Sequence, residues 1–317
     1  MKEKIRWLLI IVVALIVPQV VTNNYYLHVI NLAGIYTLIT LGLNLLSGYT
    51  GQVSMGQAGF FAIGTYVSAL LALNFDLPFI VCAFIALIVS GIFGLIIAVP
   101  AMRLSGPYLV LATVGFGEIV RLVILNWTPV TKGAAGLTGI PLLNVFGIKI
   151  MTEQHFYYFI FIAVAFGFYI AYQLAHSKIG RTFSAIREDE LAAEAMGVPV
   201  NRYKISAFII SALYAGLAGA IYGVFSGVAS PDNFTFDDSV SFLCMSVIGG
   251  NRSIAGAFIG AFALTMLSEA LRALQTYRLI LYGAILIYTV IYMPQGIIGL
   301  LGNLRKYLSK KGGTADA

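Results

Sequence analysis

The sequence predicts an all-α polytopic membrane protein of about ten transmembrane helices. Sixty per cent of its 317 residues are apolar and 10% are charged. Apolar runs of about 20 residues, the length a helix needs to cross the hydrocarbon layer, recur along the chain. A soluble domain carries roughly 45–50% apolar and about 25% charged residues, so this chain could not cover a water-facing surface. A soluble enzyme, a disordered chain and a secreted disulfide scaffold are excluded. The net charge of +6 does not indicate nucleic acid, because the basic residues end apolar runs and form no stripe.

The apolar runs lie near residues 7–23, 27–46, 54–74, 79–101, 107–127, 155–175, 205–228, 254–272 and 279–301. A shorter piece, Ser239 to Gly250, sits between turn-rich segments and is too short for an ordinary tilted span. Lys and Arg are retained on the cytoplasmic side. With the N-terminus inside and the short piece counted as a crossing, only Lys132, Lys149, Arg272 and Arg278 fall outside and Arg121 within a span. Ten crossings then place both termini in the cytoplasm; a re-entrant turn plus one further span gives the same parity. The first run, after Lys2, Lys4 and Arg6, lacks a small-x-small cleavage site and is expected to stay as a helix. The expectation is one membrane-embedded domain over 1–317, with the bundle at about 7–301, an outer loop at 128–154, a cytoplasmic loop at 176–204 and a basic tail at 302–317.

The outer loop is rich in Gly and Pro and is expected either to fold over the outer mouth of the bundle or to serve as a plain connector. The cytoplasmic loop is highly charged. Within it, Arg187 to Met196 combines helix formers, three acids (Glu188, Asp189, Glu190) to complement the dipole, Gly197 as a stop and Pro199 beyond. This predicts one helix of roughly ten residues, about 15 Å long. Leu191, Ala192, Ala195 and Met196 give it a small apolar face suited to a groove on another protein; a solvated connector is the alternative.

The segment Asn44 to Tyr66 holds five Gly together with Asn44, Ser47, Thr50, Gln52, Ser54, Gln57 and Thr65. Polar backbone and side chains at membrane depth are tolerated only where they face protein or a water-filled path. An interrupted helix there would line a translocation route, or Gly would serve close packing. Gly250-x-x-Ser253 repeats the spacing of Gly51-x-x-Ser54, a faint echo that fits a duplicated bundle. Glu118 and Arg121, three apart on one helical face, suit a structural ion pair or a gate contact. Ser211, Ala215, Gly219, Gly223 and Gly227 recur every fourth residue and read as helix packing.

Catalytic signals are few. His28, His155 and His176 lack metal-ligand spacing, so no metal is expected. Cys82 and Cys244 fall inside apolar runs and read as packing residues. The chain has no Gly-Lys dipeptide and so no Walker A loop. Two classes survive: a pore worked by a separate ATPase, and a self-contained ion-coupled carrier or membrane enzyme. The scarcity of ionisable residues within the spans favours the pore.

The motifs NLLSGYTGQVSMGQAGFFAIGTY, MRLSGPYLVLATVGFGEIVRLV, AIREDELAAEAMGVPVNRYKISAFIISALYAGLAGAIYG, SPDNFTF and YMPQGIIGL together resemble the M-type permease of branched-chain amino-acid ABC importers, the LivM family. The likeness runs from about Leu41 to Leu301. It implies a permease subunit without enzymatic activity or bound cofactor, in the bacterial inner membrane. It implies a second permease as heterodimer partner, two ATP-binding-cassette ATPases that use the ATP, and an external substrate-binding protein. The fold implied resembles the ABC importer bundle. The segment Arg187 to Gly197 is similar to a coupling helix, whose ATPase contacts would be Arg187, Glu188, Asp189, Leu191, Ala192, Glu194, Ala195 and Gly197. The Gly-rich segment is similar to a path-lining core, giving Asn44, Ser47, Gln52, Ser54 and Gln57, with Glu118 and Arg121, as translocation-path candidates. The sequence departs from the family pattern at Met55, at Gln57 where His is usual, at Val130 to Gly133, and at Asn251-Arg252 after Gly250. Those departures leave urea, short amides or other amino acids as the alternative solutes.

Overall fold

A computed structural model describes residues 17–270 apart from 22, 105, 142, 146–147 and 150–151, together with single helical positions at 280, 281, 283, 284, 287 and 299. Most of the predicted runs at 7–23 and 279–301 lies outside the described residues, and the tail at 302–317 lies wholly outside them.

Helix α1, Asn24–Leu43, starts where the Asn23 side chain accepts from the Tyr25 amide at 2.9 Å. It is apolar on nearly all sides and buried accordingly. At Asn44–Tyr49 it widens into a π-helical turn. There the hydroxyls of Ser47 and Thr50 donate back to the carbonyls of Leu43 and Leu46, at 2.8 and 2.6 Å. Residues 51–56 have no regular structure, and Gly51 takes φ +75°, a conformation Gly adopts without strain. The chain resumes as α2, Gln57–Phe75. The expected interruption is therefore present: a π turn, a non-helical stretch, then a new helix.

Next come α3, Phe79–Ala101, and α4, Pro107–Asn126, which begins with Pro after Gly106. A helical turn at Thr128–Thr131 leads to β1, Leu137–Thr138, then the hairpin of β2, Asn144–Val145, and β3, Ile148–Lys149. Helix α5, Glu153–His176, is tied to α1 because Glu153 meets His28 and Asn31, each at 2.9 Å. Helix α6, Lys178–Glu188, is capped by Ser177, and α7, Glu190–Ala195, by Asp189. Helix α8 spans Val200–Ser226, and β4, Val228–Ala229, pairs antiparallel with β1. Helices α9, Phe236–Gly249, and α10, Ile254–Ala270, complete the described bundle.

Among the described residues, six helices are long and apolar enough to span a membrane: Asn24–Tyr49, Gln57–Phe75, Phe79–Ala101, Pro107–Asn126, Glu153–His176 and Val200–Ser226. They match the predicted runs to within a few residues at each end. Helix α10 is a shorter apolar helix. At 14 residues, α9 is only about 21 Å long, as the short run at Ser239 to Gly250 anticipates. It runs parallel to α1: Phe242 packs on Tyr36 with ring centroids 5.1 Å apart, and eight residues on Gly250 meets Asn44.

The small-residue stripe of α8 is the centre of packing. Gly219 lies against the Phe61 carbonyl of α2 and Gly223 against Thr65, while Gly216, beside the stripe, lies against Ser90 of α3. The Thr65 hydroxyl donates to the Gly219 carbonyl at 2.9 Å. Large residues at these places would hold the helices apart, so the stripe sets the interaxial distance.

One expectation needs correction. The single ten-residue helix predicted over Arg187 to Met196 is two helices, divided at Asp189. That residue is extended (φ −154°), and its side chain accepts from the Ala192 amide at 3.0 Å. Aspartate caps an N-terminus better than it continues a helix. As a result Glu188 ends α6 instead of opening the second helix. Gly197 at φ +82° does terminate α7.

Candidate functional site

The interrupted segment, the turn between α9 and α10, and the α6–α7 pair converge at one end of the bundle. All five path candidates from the interrupted segment are buried: Asn44, Ser54 and Gln57 are fully enclosed, and Ser47 and Gln52 nearly so. Asn44 donates to Ser246 at 3.4 Å and to the Gly250 carbonyl at 3.1 Å. Gln57 donates to Ser211 at 3.0 Å, and Ser239 accepts from the Ala58 amide at 3.0 Å. The buried acceptor oxygens of Asn44, Gln52 and Gln57 have no hydrogen-bond partner among the described residues. An unpaired buried acceptor is costly, so the segment holds polar capacity that packing does not use.

Glu118 and Arg121 are not brought together with those five. They form the expected pair, with N and O atoms 2.6 Å apart, on a face of α4 where Glu118 is 41% and Arg121 25% exposed. Tyr108, Leu111, Ile119 and Leu122 are also exposed on α4. An ion pair half-open at membrane depth is unfavourable against lipid; it suits a face that meets water or another protein.

A cleft of about 690 Å³ opens where residues 50–53, the start of α4 and the α6–α7 pair meet. Gln52 donates weakly to the Met102 sulfur at 3.5 Å. Arg187, Glu190 and Lys204 form the polar side, beside the apolar Ile186, and Glu190 pairs with Lys204 at 2.6 Å. Val53, Leu109 and Leu111 contribute apolar wall. Thus Gln52 of the path candidates and Arg187 of the coupling candidates line one cleft.

The coupling candidates divide by exposure. Leu191 is 78% and Met196 84% exposed; Ala192, Glu194 and Ala195 are exposed as well, whereas Ala193 between them is buried. Seating Ala193 against the bundle turns those neighbours outward. Arg187 points inward and donates to the Gly48 carbonyl. Burial lowers its guanidinium below the ordinary arginine range, with Arg252 acting in the same sense and Glu188 opposing; it stays charged.

The sequence reading did not single out Arg252 as a contact of the site. It pairs with Glu188 at 2.5 Å, and its carbonyl accepts from the Tyr49 hydroxyl at 3.0 Å. The only sequence signals were the Gly250-x-x-Ser253 echo and the departure from the family pattern there.

At the opposite end, β1 and β4 bring the 128–141 loop against residues 228–235, and Tyr66 donates to the Ala229 carbonyl at 2.9 Å. Asp232 is exposed there, while Asp238 is engaged in the capping box of α9.

The family model for the permease component of the branched-chain amino acid transport system matches residues 25–290. The chain belongs to this family. It is therefore a transport permease component and not an enzyme, and it is a multi-pass membrane protein. It is 32% identical to the LivM permease protein of the high-affinity branched-chain amino acid transport system of Salmonella typhimurium, over 99% of this chain and 78% of that one. The Escherichia coli K12 LivM protein gives the same identity and coverage. The Salmonella typhimurium LivH permease protein is 29% identical over 85% of this chain and 93% of its own. Similarity to both kinds fits a permease with a related partner permease in a multi-component importer. No solved structure matches significantly.

Proposed function

We propose that this permease component carries branched-chain or related hydrophobic amino acids inward across the bacterial inner membrane, as one half of an ABC importer. A second permease completes the path, two ATPases supply the energy, and an external binding protein delivers the solute. About ten crossings, with both termini in the cytoplasm, fit the distribution of Lys and Arg.

The observation that carries the reading is the contact from α6 to the interrupted helix, Arg187 to Gly48. A displacement of α6 and α7 by a docked ATPase reaches the π turn directly, without crossing flexible chain. Exposed Leu191, Ala192, Glu194, Ala195 and Met196 then form the docking face. The outward face of α4, with Glu118 and Arg121, looks onto the route shared with the second permease, and the interrupted segment supports that route from behind. The loaded binding protein docks where β1 and β4 join the two loops. Because that protein does the selecting, the route needs only weak polar contacts; tight binding inside would slow release.

Purification in mild detergent tests the assembly: two ATPases and a second permease should accompany the chain. Proteoliposomes of that complex with its binding protein should take up radiolabelled leucine only with ATP. Isolation of the chain without those subunits, with leucine uptake driven by a proton gradient, would replace this reading with a self-contained carrier.

A further inference from the structure

We propose that Arg252 is a positioning residue that fastens the turn between α9 and α10 to the end of α6, so that α6 moves both Gly-rich turns together. The inference rests on the importer reading above. Two consecutive residues of α6 reach two separate turns. Arg187 donates to the carbonyl of Gly48 in the π turn, and its stem packs on Gly51, where an added Cβ would stand 3.3 Å from Cγ. Glu188 reaches the other turn and binds Arg252 at 2.5 Å. The turns also hold each other: Tyr49 donates to the Arg252 carbonyl at 3.0 Å, Asn44 to the Gly250 carbonyl at 3.1 Å, and the amide of Arg252 stands 2.9 Å from where a Cβ on Gly48 would lie. These are the two segments that share the Gly-x-x-Ser spacing, so one lever grips both Gly-rich turns.

Local stability does not explain the two residues that make this link. Arg252 takes φ +65°, where a non-Gly side chain is strained. Glu188 ends a helix, where its charge opposes the dipole. The pair is 43% and 68% exposed, and such pairs add little stability. Two locally unfavourable choices that meet each other mark a functional contact better than a structural one. The contact supplies alignment: motion of α6 that reached only the π turn would shear it against the neighbouring turn.

The test uses the full importer in proteoliposomes with radiolabelled leucine, measuring leucine taken up per ATP hydrolysed and the thermal unfolding midpoint. Arg252→Gly relieves the positive φ, so its midpoint should equal or exceed that of wild type while uptake per ATP falls about three- to tenfold, the range of a coupling contact. Arg252→Glu should fall at least as far, and Glu188→Arg combined with Arg252→Glu should recover at least half of the loss. Wild-type coupling in Arg252→Gly, or a charge swap no better than Arg252→Glu alone, would overturn the proposal. A wild-type complex without ATP-driven uptake would overturn the importer reading and this inference with it; a failure confined to the variants' expected behaviour leaves the importer reading intact.

Discussion

Gly64 of α2 and Gly216 of α8 meet backbone to backbone, so closely that a methyl group on Gly64 would overlap the Gly216 carbonyl. No side chain can rotate away there; the helices themselves must separate. Gly64→Ala is therefore expected to destabilise the bundle by about 1–3 kcal/mol, the cost of overpacking, and Gly64→Leu to abolish the folded protein. Gly115 on α4 has nothing within 4 Å and no positive φ, so Gly115→Ala should leave stability unchanged or raise it by up to about 1 kcal/mol. Thermal unfolding of the detergent-solubilised variants checks both, and equal loss at the two positions would contradict the packing account.

The docking face proposed for α7 predicts uncoupling without misfolding. Ala192 and Glu194 both point away from the bundle, so Ala192→Trp and Glu194→Arg should insert and unfold like wild type. What they should lose is ATP-driven leucine uptake, with hydrolysis uncoupled from transport. Full uptake by both variants would remove α7 from the ATPase interface.

The division between α6 and α7 depends on one cap. Asp189→Ala removes the acceptor for the Ala192 amide and should weaken α7 by about 1 kcal/mol, as loss of an N-cap does. Faster hydrogen exchange should then appear in residues 190–196 and not in α8. Uniform exchange across both helices would mean that the cap does not hold α7 separately.

How much of this was legible in the sequence follows from which forces set each feature. The long spans were readable because apolar length alone fixes them, as α3 and α4 show. The break after Tyr49 was readable because Gly and polar residues have few other uses at that depth. The break at Asp189 was not, since the same acids that favour a helix start also favour a cap, and composition does not say which of the three takes that role. Gln57 and Ser211 meet from residues 154 apart, and Arg252 meets Glu188 across 64; no local pattern encodes either pairing. Glu118 and Arg121 were readable as a pair because one helix turn joins them, but the direction they face depends on how α4 sits against α2.

Glu118 and Arg121 yield a further prediction. Glu118→Gln leaves a guanidinium unpaired on the outward face of α4, and leucine uptake should fall about three- to tenfold, the span of measured polar contacts within membranes. Glu118→Gln with Arg121→Gln removes the unpaired charge but should not restore the full rate if the charges face the route. A double variant with wild-type uptake would show the pair to be structural only.

The central claim is that this chain has no energy source of its own and is driven through α6 and α7. The most direct measurement is leucine accumulation in proteoliposomes holding either this chain alone or the complete complex with its binding protein, with and without ATP. Accumulation only in the complete complex, and only with ATP, is the predicted result; accumulation against a gradient by the chain alone, without nucleotide, would contradict it.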